Sequence, residues 1–306
     1  MATKGKKLLL VGDNPFHGIS HLSEDRARAR GNEINRSDYA AKLVLTSLEN
    51  GADGFMFSVS ETTLSTLRVL RENVGTRSPI LYAIVPYAYE YVRIATHLGT
   101  VGLAKKLAKQ IVFSGNIRAI GAGLKCIATM DPEDLLKAYL LYEISRIKSA
   151  IGKKFRLESV MLHEVITEMV LSLDLDWLAK SYIKYTLGLG IKPGFETRNF
   201  AYLVNKFQDW GIDFKQITIA TAFNGVGFQM NPSKQVCEEA LARIPESNVI
   251  AMSILASGYV KLPEAAKYTK NLTNIKGVVV GISKEQHAHE TFKFLEESLE
   301  NKPFDT

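Results

Sequence analysis

The sequence predicts a (β/α)₈ TIM barrel with a helical insertion between strands 3 and 4, and three observations carry that prediction. Eight short runs rich in β-branched residues or leucine recur along the 306 residues. Each run is followed by a polar cluster and then by a helical pattern. The runs are almost continuously apolar, as a parallel strand covered on both faces must be. Eight strand–helix alternations close most simply into a barrel. With 46% apolar residues the chain can bury one large core, so residues 1–306 are read as a single domain.

The strands are expected at Leu8–Gly12, Gly54–Ser58, Ile80–Val85, Glu158–His163, Lys192–Thr197, Gln216–Thr221, Asn248–Ser253 and Gly277–Ile282. After the first, Ser37 can cap the helix DYAAKLVLTSLENG, which stops at Gly51. Gly152, Gly190 and Gly211 fit the ends of later helices, where a left-handed residue is needed. Between the third and fourth strands lies a crossover far longer than the others. Residues 88–152 of it are read as an insertion of helices near Tyr89–Val112, Ile117–Thr129 and Pro132–Ile151. Asp131-Pro132-Glu133-Asp134 supplies the cap, first-turn proline and acids of the last of these. An extra packing layer, a substrate lid and a homo-oligomer surface are the open readings of the insertion.

Composition narrows the function classes. The net charge is +6, but the lysines lie in short scattered groups without interleaved aromatics, which argues against nucleic acid as a partner. Cys126 and Cys237 lie far apart and neither belongs to a CxxC pair, so no disulfide framework or thiolate zinc site is implied. The N-terminal stretch MATKGKKLLLVGDNP offers only the run Leu8–Val11, too short for a signal h-region, and no apolar run reaches about eighteen residues. A cytoplasmic protein without membrane contact is expected.

In a parallel barrel the reactive groups stand at the C-terminal ends of the strands. That rule selects Asp13, Asn14, His17 and His21 after strand 1, Ser58, Ser60 and Glu61 after strand 2, and Tyr87 and Tyr89 after strand 3. Strand 4 supplies His163 and Glu164, strand 5 Glu196, Thr197, Arg198 and Asn199, and strand 6 Thr221, Asn224 and Gln229. The last two strands supply Ser253, Ser257, Gly281, Ser283 and Lys284. His163 stands out, because an imidazole at a strand end titrates near neutrality and can donate to a carbonyl oxygen. His17, His21, His163 and Glu196 together offer the nitrogen and oxygen ligands of a divalent metal. Asp13, Asn14, Arg198 and Asn224 are candidates for substrate contact. The turn after strand 8 opens a helix beside Lys284, a placement that suits a phosphate.

The C-terminal half resembles the aldo-keto reductase superfamily. The segments KPGFETRNFAYLVNKF, NVIAMSILASG and GVVVGISKEQHAHETF are similar to that family's fifth, seventh and eighth strand regions, and VGDNPFHGISH to the opening strand of divergent members. The resemblance covers about residues 158 to 295 and implies a barrel, NADP(H) as cofactor and carbonyl reduction as the reaction. It places Thr197, Asn199, Ser253, Ser257, Gly281, Ser283 and Lys284 at the cofactor and His163 at the carbonyl. Ser58 stands where the family has its Asp, no Tyr follows it, and Pro86 and Tyr87 replace the Lys ending strand 3. Tyr87 then becomes the candidate acid, with His17 and Glu196 as further candidate catalysts.

Three readings follow. The first is a reductase of a small carbonyl compound; the second is a metal- or acid/base-dependent lyase, isomerase or hydrolase of a small anionic substrate; the third is a non-catalytic nucleotide- or protein-binding barrel.

Overall fold

The computed structural model describes residues 6–17, 37–86, 132–272 and 274–299. Eight parallel strands close into a barrel in chain order: β1 (Leu8–Gly12), β2 (Gly54–Ser58), β3 (Ile80–Val85), β4 (Arg156–Leu162), β5 (Lys192–Thr197), β6 (Thr218–Ala222), β7 (Asn248–Met252) and β8 (Ile275–Gly281). The ring shuts where β1 pairs with β8, Leu8 opposite Gly277 and Gly12 opposite Gly281.

Four of these strands match the sequence boundaries, and the other four shift by one to two residues at an end. Gln216 falls in a 3₁₀ turn because the Asp213 carboxylate accepts the Lys215 N–H and holds the chain coiled there. His163 leaves the strand to cap the following helix, while Ser253 adopts φ 52°, which no strand tolerates.

The described helices are α1 (Ser37–Glu49), α2 (Glu61–Asn73), α3 (Pro132–Ile151), α4 (Glu164–Ser172), α5 (Asp176–Gly188), α6 (Phe200–Asp209), α7 (Lys234–Ala242), α8 (Leu262–Asn271) and α9 (Glu285–Leu299). Helix α3 is the last helix expected in the insertion; the two expected before it lie outside the described residues. Gly51, Gly152, Gly190 and Gly211 all have positive φ, as the stop signals required. Among the described residues no helix is long and apolar enough to cross a membrane.

The period of two along each strand sorts side chains into two cores. Leu10, Met56, Tyr82, Ile84, Met161, Ala220 and Ile250 fill the inside of the barrel. Their neighbours Leu9, Val11, Phe55, Phe57, Leu81, Ala83, Val160, Leu162 and Phe195 point outward and pack under the helices. Space inside is tight. A Cβ at Gly194 would stand 2.2 Å from Met161 Cγ, so the glycine in β5 exists to admit that methionine. Helix α5 is pinned to the wall by Tyr182, whose hydroxyl donates to Val160 O and accepts the Gly194 N–H at 3.2 Å.

Candidate active site at the barrel mouth

The C-terminal ends of the strands surround a cavity of about 310 Å³. Met56, Ile84, Met252 and Val279 give it an apolar floor, and Asp13, His163, Glu164, Glu196 and Arg198 line its wall.

Asp13 is delivered by the end of β1 and fixed by the 3₁₀ turn Asn14–His17, in which the Phe16 N–H donates to Asp13 O at 2.7 Å. Phe16 is fully buried against Phe55 and anchors that turn. One carboxylate oxygen, Oδ2, accepts the Ser58 N–H at 2.7 Å and meets His17 Nε2 at 3.0 Å. His17 itself does not line the cavity; it stands behind Asp13 as that carboxylate's partner.

His163 sits at the N-terminus of α4. Its backbone N–H donates to Val85 O at 2.8 Å, and its Nδ1 accepts the Val165 N–H at 3.2 Å. An Nδ1 that accepts leaves the proton of a neutral ring on Nε2. Burial, helped by the Arg198 charge and opposed by Glu164 and Asp13, pushes this imidazole below its ordinary range, so it is neutral at physiological pH.

Of the titratable groups lining the cavity, Glu196 is the most altered by its surroundings. Burial first, then the negative charges of Glu164 and Asp13, push its carboxyl up to about 8 against the opposing Glu164 N–H and Arg198 charge. The Glu164 N–H donates to its Oε2 at 3.2 Å. The cavity therefore holds a carboxylic acid and a neutral imidazole at neutral pH.

The last residues of β5 and the turn that follows divide between the cavity and the space under α4. Glu196 and Arg198 point in, and Thr197 and Asn199 point out. Thr197 is fully buried under α4, where its hydroxyl donates to Glu168 Oε1 at 2.7 Å. Glu168 also accepts the Arg198 N–H at 3.1 Å and the Asn199 amide at 2.8 Å. Neither Thr197 nor Asn199 is brought into the cavity. Glu168 was not singled out by sequence reasoning, although its place four residues after Glu164 puts both acids on one face of α4.

Arg198 donates from Nε to Glu164 Oε2. Asn224 is turned away and closes its own loop, with bonds to the Phe228 N–H and O, both at 2.8 Å. Among the expected cofactor contacts, Ser253, Ser257, Gly281 and Ser283 line the cavity, while Lys284 is exposed outside it. The loop after β7 is unusual: Ser253, Ala256, Ser257 and Gly258 have φ of 52°, 43°, 59° and 92°. The turn is held by its own backbone, the Ala256 N–H donating to Ser253 O at 2.8 Å and the Gly258 N–H to Leu255 O at 2.7 Å. Gly281 lies close against Pro15, where a Cβ would stand 3.0 Å from Pro15 Cδ and press on that ring.

Tyr87, Tyr89 and His21 lie outside the described residues. Among the described residues no group of three or more His, Cys, Asp or Glu side chains is placed to hold a metal ion.

No protein-family model matches the sequence, and no curated protein is significantly similar to it. Solved structures are similar in fold. Two structures from Pseudomonas aeruginosa, described as a candidate aldo-keto reductase, superpose with a TM-score of 0.60 at 12% identity, covering 96% of this chain. They are matched over 92% and 91% of their own length. The barrel found here is thus similar to that of an aldo-keto reductase, at an identity that speaks to fold alone.

Proposed function

We propose that the barrel mouth is the active site of an NADP(H)-dependent enzyme that reduces a small carbonyl compound, with Glu196 as proton donor and His163 as the group that orients the carbonyl. The observation that carries this reading is the pairing, in one cavity, of a carboxyl pushed up to about 8 with an imidazole whose Nδ1 accepts the Val165 N–H and so carries its proton on Nε2.

Carbonyl reduction adds hydride to carbon and a proton to oxygen. NADP(H), when bound, supplies the hydride; Ser253, Ser257 and Ser283 are the side chains that would hold it, with Lys284 at the rim. His163 Nε2–H donates to the carbonyl oxygen and fixes the face presented. The acid chemistry that the related reductases place on a tyrosine falls here to Glu196, which is protonated at neutral pH and gives its proton to the developing alkoxide. Asp13, held from behind by His17, accepts from a substrate hydroxyl, and the Arg198 guanidinium meets a carboxylate or phosphate on the substrate. A cavity of about 310 Å³ is at the small end for ligand sites, which fits a compact substrate.

One observation favours a second reading, a proton-shuttling isomerase or lyase. Asp13 and Glu196 face the same cavity from opposite strands, one bonded as an acceptor and the other protonated, so a base and an acid are both present.

Thermal unfolding with added ligand separates the two. A ligand at a hundred times its Kd adds about 2.7 kcal/mol, a rise of roughly 5 °C for a chain of this size. NADPH is expected to give that rise, and Ser283→Glu, which adds a negative charge to the cavity wall, is expected to remove it. No response to NADPH or NADH would overturn the first reading and leave the second, which needs no nicotinamide.

A further inference from the structure

Glu168 is the acid that the chemistry of the mouth leaves unused, although it makes more bonds than any acid that faces the cavity. Its Oε1 accepts the Thr197 hydroxyl at 2.7 Å, the Arg198 N–H at 3.1 Å and the Asn199 N–H at 3.4 Å, and its Oε2 accepts the Asn199 amide at 2.8 Å. One carboxylate on α4 thereby fixes three consecutive residues at the exit of β5, where α6 begins. The site also suits a negative charge, because the N-terminus of α6 points its free N–H groups there.

The middle residue of that turn is Arg198, which points the other way, into the cavity. Its Nε holds Glu164, one helical turn from Glu168 on the same helix. Arg198 lies just beyond the end of β5 and lines the same cavity as Glu196. A guanidinium there has two carboxyl groups within its compass, and the backbone clamp decides which it takes. We propose that Glu168 is a positioning residue, which by clamping the turn at 197–199 keeps the Arg198 guanidinium on Glu164 and off Glu196. The inference rests on the reading of Glu196 as proton donor and adds the device that preserves it.

The groups facing Glu196 are Asp13 from the end of β1, His163 and Glu164 from the junction of β4 and α4, and Arg198 from its own exit turn. Among the described residues lining the cavity Arg198 alone brings a positive charge at neutral pH, so its approach works against the burial that keeps Glu196 protonated. With the clamp released, Arg198 swings toward Glu196 and stabilises its carboxylate, so the proton is lost at lower pH.

The test follows the Glu196 side-chain carboxyl by ¹³C NMR in protein labelled at glutamate, its resonance assigned with Glu196→Gln. The unmodified protein is expected to show a midpoint near 8. Glu168→Gln puts an amide N–H against donors and is expected to lower that midpoint by one unit or more. The double variant Glu168→Gln/Arg198→Ala is expected to bring it back, an effect that loosened packing alone does not produce. Asn199→Ala removes one bond of the clamp, keeps the test open should Glu168→Gln fold poorly, and is expected to move the midpoint down by a smaller amount. Folded Glu168→Gln or Asn199→Ala protein with an unchanged midpoint overturns the positioning role alone. An ordinary carboxylate midpoint in the unmodified protein overturns the proton-donor reading, and this inference with it.

Discussion

Glu196 and Thr197 are neighbours in the chain and face opposite sides of the barrel wall, and only one of them has reactive surroundings. The folded protein holds the Glu196 proton more tightly than the unfolded chain does, because burial and Glu164 raise its carboxyl to about 8. The sign follows. Its contribution to stability is fully present below the unfolded value near 4.5 and is lost as pH rises through 8, a change on the order of a few kcal/mol. Urea unfolding at a series of pH values is expected to show that decline between about pH 4.5 and 8, and Glu196→Gln, which cannot titrate, is expected to flatten it. A second prediction concerns His163. Once a turned-over substrate is in hand, His163→Ala is expected to lower kcat by about 10²- to 10³-fold, the range for losing one hydrogen-bond donor to the reacting oxygen. Far-UV circular dichroism is expected to be unchanged, with about 1 kcal/mol of stability lost from the uncapped α4. At this scale the sequence spoke clearly about His163, Glu196 and Asp13, which stand at strand ends. It was silent about Thr197 and Asn199 turning under α4, because Thr197 differs from Glu196 in direction by parity alone and Asn199 lies past the strand end, drawn to a Glu168 carboxylate far away in the sequence.

The strands were legible because each is apolar on both faces, and their limits were less so where a polar side chain rather than a hydrophobic one ends the element. His163 reads as the last residue of an apolar run, yet its ring bonds the Val165 N–H and so starts α4. Gln216 reads as strand, yet Asp213 keeps it coiled. Helices α4 and α5 share one crossover, and the turn between them is marked by Asp174 at φ 55° rather than by a glycine or proline. Glu168 was illegible for a related reason: its partners lie about thirty residues on, in another crossover, and no local pattern announces them. The wall itself gives a prediction. Gly194→Val is expected to collide with Met161 inside the barrel and cost about 1–3 kcal/mol, seen as a lower melting midpoint. Tyr182→Phe is expected to cost about 1–3 kcal/mol, because the buried Val160 carbonyl and Gly194 N–H lose a shared partner.

For the whole molecule, the closed ring is what makes the chemistry collective. Asp13 comes from the end of β1, His163 and Glu164 from β4 and α4, Glu196 and Arg198 from β5, Ser253 and Ser257 from the β7 loop, and Ser283 from the β8 turn. These residues span the whole chain, and only closure of β1 on β8 places them about one cavity. Burial in that cavity, more than any single partner, is what moves the Glu196 carboxyl so far from its usual range. The account therefore turns on one protonation state, and the ¹³C titration of Glu196 in the unmodified protein measures it directly. A carboxyl that is still protonated at pH 7 and loses its proton near 8 is the predicted result. A carboxyl already ionised at pH 6, titrating near 4.5, would contradict the account at its centre.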